Sequence, residues 1–375
     1  MLQSNPWTAG RFLQKDLVFS NTCTETDVDD IITPNVLKNS AVNRNQPYPA
    51  LVAAVAKNPN MSVQKGKHVQ TTAGRIMKLV VVEPETSDGT FAIIFSMSHA
   101  AADGADYYRI FNMICGTDPV EVLNPVRVVE FETREPEWIG KKDHGWVGGG
   151  GGLIKGMLAG ACCGPKANWC CYKVDSAKIG LAKTEAVAKA EKLGAKGVEY
   201  VSTNDILTSH FGRACAARVI MMVVNMREKT ELNITKNHAG CYETCLLLDA
   251  ENYIEPSFIR LSLNAGVPYT RQMPSPKLPG YCCTSCPLGF ITSWANGAVA
   301  GSRFNATNIA GVDTQDLHLP CMDMPDMFDV AIVFKPTPEE YGVIYLAKRA
   351  SHESLTGADT VLGDVVDLNL FPLKK

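Results

Sequence analysis

The chain has 375 residues, 46% of them hydrophobic, and a formal net charge of −3. That length suffices for two domains or one large one, and the apolar share supports a large core. With no basic excess the composition argues against a nucleic-acid partner, no apolar run reaches membrane-span length, and residues 1–7 lack the basic and apolar regions of a signal peptide. The chain therefore reads as intracellular and cytoplasmic.

In chain order, residues 75–83 and 90–97 are β-rich runs, and Glu83-Pro-Glu-Thr-Ser-Asp-Gly89 between them carries hairpin-turn chemistry. His99-Ala-Ala-Ala-Asp103-Gly104 follows the second run and precedes the amphipathic stretch 105–114, which reads as strand, turn, helix. A histidine at a strand end can be held rigidly with its ring facing a cavity, and it exchanges a proton near neutral pH. Asp103, at the start of the helix, points away from His99 and pins the turn. Gly104 lets the backbone approach whatever occupies the site.

From residue 130 to 169 the composition shifts. Gly145-Trp-Val-Gly-Gly-Gly-Gly-Gly152 lacks the Gly-Lys-Ser/Thr ending of a phosphate loop, and an apolar stretch, 153–161, follows it. The segment reads as an inter-domain linker, with a peripheral membrane-surface flap as the alternative.

The second half opens with helical periodicity over 176–193, where Ala182, Ala186, Ala190 and Leu193 share one face. A helix capped by Ser202 or Thr203 comes next. Then follow a buried strand over 219–227, a strand running from His238-Ala-Gly-Cys-Tyr242 to Leu248, a short strand over 290–295, and a hairpin formed by 328–334 and 341–347.

The 13 cysteines include the adjacent pairs Cys162-Cys163, Cys170-Cys171 and Cys282-Cys283. Vicinal cysteines rarely bridge, so reduced thiols are expected. Cys283-Thr-Ser-Cys286 has CxxC spacing, but no second pair or histidine follows at zinc-site spacing, so no metal is expected. His68, His144, His210, His238, His318 and His352 read as ordinary surface or core histidines.

The segment Ser98-His-Ala-Ala-Ala-Asp-Gly104 resembles the HxxxDG signature of the acyltransferase superfamily that includes chloramphenicol acetyltransferase, the plant BAHD enzymes, wax-ester synthases and peptide-synthetase condensation domains. Further segments extend the likeness in order. Val201-Ser-Thr-Asn-Asp-Ile-Leu207 is similar to the start of a second-domain helix. Val224-Asn-Met-Arg227 with Gly240-Cys-Tyr242 is similar to the strand, arginine and glycine-aromatic sequence. Thr292-Ser293-Trp294 is similar to the Ser-Trp strand near the channel.

The resemblance implies an α/β (α+β) fold of two similar domains, each a mixed β-sheet flanked by helices, with an active-site channel between them. The expected organisation is an N-terminal domain over 1–140, a Gly-rich crossover over 141–172 and a C-terminal domain over 173–375. The implied chemistry is direct transfer of an acyl group from a coenzyme A thioester to a hydroxyl or amine of a small, lipophilic acceptor. His99 would be the general base and Ser293 or Thr292 the donor to the oxyanion or substrate. Asp103 would pair structurally with Arg227. Acyl-coenzyme A would be a co-substrate, with no tightly bound cofactor, and the protein a monomer.

Two departures stand out. Residues 301–308 occupy the place of the BAHD Asp-Phe-Gly-Trp-Gly segment. Residues 5–12 resemble a segment that follows an initial strand and helix in the family, so the chain is expected to lack a sheet-edge strand and its covering helix. Two alternatives stay open: a non-catalytic ligand-binding or structural member of the fold, and a condensation-type amide-forming domain. The latter prefers a second histidine where Ser98 stands.

Overall fold

The computed structural model of the chain describes residues 37–39, 42, 47–56, 58–63, 75–83, 91–115, 119–148, 168–273, 278, 288–295, 318–321, 328–337, 339–348, 352–357 and 360–365. The initial segment 1–36, the apolar stretch 153–161, Cys162-Cys163, Cys282 to Cys286, His68 and the region 301–308 lie outside the described residues, as does most of the expected hairpin turn at 83–89.

The first half builds a small sheet. The β-branched run Met77–Glu83 forms β2 and Ala92–Met97 forms β3, paired antiparallel from Met77↔Met97 to Val82↔Ala92. A short β1, Leu37–Lys38, adds to β2 in parallel. Helix α1, Tyr48–Ala56, lies beside it, and Leu51 and Val55 pack with Val80 and Val82. The run after the motif turn is α2, Gly104–Cys115.

Helices α3, Glu130–Ile139, and α4, Lys141–Gly148, lead toward the second half. Strand β4, Asn168–Val174, begins inside the expected crossover and already belongs to the large sheet, pairing with β9, Gly342–Ala347. The other strands of this sheet are β5, Val219–Asn225; β6, Glu243–Asp249; β7, Leu288–Ser293; β8, Asp329–Phe334; and β10, Leu362–Val365. Their order is β10-β4-β9-β8-β7-β5-β6. Neighbours β5–β7 and β7–β8 are parallel and the other pairs antiparallel, so the sheet is mixed.

Alternation along these strands divides the core into two layers. On one face Ile220, Met222, Leu246, Leu248 and Ile291 pack under α5, Ser176–Ala190, and α6, Thr203–Ala214. On the other, Met221, Leu247, Phe290 and Ile332 pack against Tyr48 and Val52 of α1. Cys170 and Cys171 fall on opposite faces of β4, and Cys170, Cys171, Cys215, Cys241, Cys245 and Cys321 are free thiols.

Helix α6 starts at Ser202, whose hydroxyl accepts from Asp205 N–H while the Asp205 carboxylate accepts from Ser202 N–H. This capping box satisfies two otherwise unpaired donors. Helix α5 ends at Ala190, before the expected end of its apolar face. Leu193 then sits in the turn leading to Gly194, which has φ +90°, and is 41% exposed. Short α7, Ala250–Tyr253, and α8, Pro256–Asn264, complete this layer, and α9, His352–Thr356, precedes β10. Among the described residues no helix is long and apolar enough to cross a membrane.

Candidate active site

The motif turn is fixed from both ends. Ser98 N–H donates to Ile76 O at 2.7 Å, and Ala101 N–H returns to Ser98 O at 3.0 Å. His99 thus projects from the link between β3 and α2, and its side chain is 62% exposed. Four residues later Asp103 is 2% exposed. Its Oδ1 accepts from Ala105 N–H at 3.0 Å and Asp106 N–H at 3.2 Å, capping α2.

The other Asp103 oxygen, Oδ2, lies 2.7 Å from Arg227 Nη1 and accepts from Tyr242 N–H at 3.0 Å. The expected Asp103–Arg227 pair and the alternative helix cap therefore coexist in one carboxylate. Sequence reasoning missed the third member. Asp106 is one helical turn along from Asp103 and sits 2.9 Å from Arg227 Nη2, while its Oδ2 accepts from Gly240 N–H at 2.6 Å. The i,i+3 spacing was the available signal, since it puts both carboxylates on one helix face.

Arg227 is held on every side. Nη2 donates to Gly240 O at 2.8 Å and Nε to His238 O at 3.2 Å, and its guanidinium lies 5.2 Å from the Tyr242 ring centroid. Arg127 approaches the same ring at 4.7 Å and donates to Cys241 O, and Tyr242 Oη accepts from Val128 N–H. Two carboxylates thus share one guanidinium in a buried cluster. Burial, and then the neighbouring Asp103 charge, push the Asp106 carboxyl up to about 7 against the pull of Arg227.

With Asp103 and Asp106 committed to Arg227, the carboxylate that faces His99 is Glu243, at the start of β6. Its Oε1 lies 4.0 Å from His99 Nε2, and its side chain is 28% exposed. The same segment that donates Tyr242 N–H to Asp103 therefore delivers Glu243 to the histidine. Nothing in the HxxxD spacing pointed to it.

The Thr292-Ser293-Trp294 segment ends β7 beside α2. A Cβ added to Gly104 would lie 3.4 Å from Trp294 Nε1, an ordinary contact, so α2 starts directly against the indole. Tyr108 contacts the same indole, with ring centroids 5.9 Å apart. The pleat separates the two hydroxyl candidates. Thr292 alternates with Phe290 on the face that carries Cys245 and Leu247, two and four residues beyond Glu243 on β6. Ser293 alternates with Ile291 on the opposite, α5/α6 face, where its hydroxyl is buried without a hydrogen-bond partner.

His318 was expected to be an ordinary histidine, and it is a structural one. Its Nδ1 faces Lys335 O at 3.0 Å, which can only accept, so Nδ1 carries the proton and Nε2 accepts from Tyr108 O–H at 3.3 Å. Burial pushes its pKa down to about 4, which keeps it neutral as a link between α2 and β8.

No family model matches the chain, and no curated protein matches it. Solved structures do. TRI101 of F. graminearum, complexed with coenzyme A and T-2 mycotoxin, is 11% identical over 85% of this chain and 78% of its own, with a TM-score of 0.53. The same enzyme with ethyl coenzyme A gives a TM-score of 0.52 at 11% identity over 86% of this chain and 78% of that one. Vinorine synthase gives a TM-score of 0.51 at 14% identity over 99% of this chain and 87% of that one. At these identities the likeness is one of fold. The chain thus shares the mixed α/β fold of these structures, with mixed sheets and helices as the resemblance implied.

Proposed function

We propose that the protein is an acyltransferase that moves an acyl group from a coenzyme A thioester to a hydroxyl or amine of a small acceptor, with both substrates bound together. The observation that carries this reading is the position of His99, exposed at the end of β3 beside a turn that Asp103, Arg227 and Asp106 lock in place. A base held on a rigid support needs no reorganisation to reach its proton. The crystallisation of the F. graminearum TRI101 with coenzyme A is consistent with that donor.

His99 takes the acceptor proton as the acceptor attacks the thioester carbonyl, then returns it to the departing thiolate. The developing oxyanion needs a donor. Of the two hydroxyls expected from the sequence, Thr292 is the better choice, because it shares a sheet face with the Glu243 that touches His99. Asp103 and Arg227 act as structure. In this reading the chain is organised as an N-terminal domain over 1–140, a crossover over 141–172 and a C-terminal domain over 173–375, and it works as a cytoplasmic monomer.

The test is a transfer assay with a panel of acyl-coenzyme A donors and small alcohols and amines, on the wild type and His99→Ala. The variant should lose about 10²–10⁴-fold in turnover and keep its melting temperature. Near-normal turnover in the variant would sink the mechanism.

A further inference from the structure

We infer that the chain carries a second ligand site, remote from His99, which takes a phosphate monoester in the cavity between the start of α4 and the segment 269–273. The inference does not depend on the acyl-transfer reading.

The cavity has a volume of about 400 Å³. One wall is the junction of α3 with α4, residues 139–143, and the other is the segment from Tyr269 to Met273. Both walls are tied down. Tyr269 N–H donates to Trp138 O at 2.7 Å, Met273 N–H to Asn252 Oδ1 at 2.9 Å, and Arg271 Nη2 to Asp143 Oδ1 at 3.1 Å. A pre-formed site of this kind asks little ordering of the protein when a ligand enters.

The cavity does not belong to the His99 site. Its Asp143 feels the charge of Asp249, which ends β6, whereas the Glu243 beside His99 begins the same strand. The length of that strand is about 20 Å.

Charge sets the ligand class. Lys141, Lys142 and Arg271 line the cavity against one carboxylate, Asp143, which leaves two positive charges unmatched. Asp249 does not line it, and its Oδ1 caps α7 by accepting from Asn252 N–H. Arg271 also has a spare donor: its Nη1 is buried without a hydrogen-bond partner. A buried guanidinium N–H without an acceptor is costly, so an acceptor is the missing piece. A phosphate monoester carries a charge of about −1.5 to −2 near neutral pH and three acceptor oxygens. It therefore matches the unbalanced charge and supplies acceptors to a guanidinium and two ammonium groups that can only donate. The space exceeds that of a phosphate group alone, and Ile139, Tyr269 and Met273 give an apolar wall for a small organic body.

The experiment is calorimetric titration of the full chain with phenyl phosphate, and with benzoate as a monoanion of similar shape. Phenyl phosphate should bind one to one with a Kd below about 1 mM, and benzoate at least about tenfold more weakly. Lys141→Gln with Lys142→Gln removes two exposed charges and should weaken phenyl phosphate about tenfold. Arg271→Gln alone would strand Asp143, so it is combined with Asp143→Asn; this variant should lose saturable binding, with a thermal melt to confirm that it folds. Should it not fold, the lysine variant decides. No saturation by the wild type up to about 10 mM, benzoate bound as tightly as phenyl phosphate, or unchanged affinity in the variants overturns the inference. Coenzyme A, which carries a ribose phosphate monoester, and dephospho-coenzyme A, which lacks it, then identify the source. Competition by coenzyme A alone supports the coenzyme as the natural ligand, and competition by neither supports a free monoester. Competition by both equally overturns the monoester class.

Discussion

Asp103 serves Arg227 and not His99: one of its oxygens lies 2.7 Å from Arg227 Nη1 and the other caps α2. The aspartate of the motif therefore acts on the histidine only by holding the turn on which it stands. Its side chain ties the motif helix to the Arg227 and Tyr242 segments of the second half of the chain.

Because Asp106 shares the guanidinium, the three charges should respond unequally to removal. Arg227→Ala strands two buried carboxylates and should cost at least the about 3–5 kcal/mol typical of breaking a buried pair. Asp103→Ala leaves Arg227 with Asp106 and should cost less. Chemical denaturation of the two variants checks the order. Equal losses would mean that Asp106 does not share the charge.

Thr292 and Ser293 should separate cleanly. Thr292→Val removes the hydroxyl on the His99 side and should lower kcat by up to about 10²–10³-fold without changing the melting temperature. Ser293→Ala removes a hydroxyl that is buried and without a hydrogen-bond partner, so it should leave transfer intact and stability unchanged or slightly raised. Steady-state kinetics on both variants decides the assignment, and the reverse pattern would transfer the role to Ser293.

Glycine substitutions should follow the space beside each position. A Cβ at Gly104 meets Trp294 Nε1 at 3.4 Å, an ordinary contact, so Gly104→Ala should fold with a small loss. A Cβ at Gly212 would fall 2.5 Å from Tyr253 Cδ2 in the packed layer between α6 and α7. Gly212→Ala should therefore cost about 1–3 kcal/mol through overpacking. Thermal melts of the pair give the comparison, and a Gly212→Ala protein as stable as Gly104→Ala would show that the Tyr253 ring moves aside freely.

Acid should destabilise the protein through buried neutral histidines. Burial, with the Arg213 charge, pushes His210 down to about 4, and burial pushes His318 to the same value, below the ordinary 6.5. The unfolded chain binds these protons first as pH falls, so stability is full above pH 6.5 and is lost between 6.5 and about 4. Each full shift corresponds to a few kcal/mol, on the order of 3. Denaturation midpoints at several pH values should fall across this window, and His210→Gln should flatten the fall. Midpoints constant from pH 7 to 5 would contradict it.

The local elements were legible because their signals are local. The run before His99 folds as β3, the stretch after Asp103 as α2, and Ser202 caps α6 through a reciprocal bond with Asp205, three residues on. Side-chain period and cap chemistry act over a few residues, so they can be read along the chain. Leu193 shows the limit: its periodicity continued the α5 pattern, but the backbone turned toward Gly194 and left it exposed.

The amino-acid sequence by itself determined the motif, the superfamily it resembles, and which residue types could do the chemistry. It even supplied the Asp103–Arg227 pair, through the likeness of separate segments. Only the tertiary structure decided who stands beside whom. Asp106 and Asp103 meet Arg227 across more than a hundred positions of chain, Glu243 meets His99, and Thr292 and Ser293 part to opposite faces of β7. These relationships depend on the register of β5 with β6 and on the approach of α2 to the large sheet. Both are set by packing between distant segments, which no local pattern encodes.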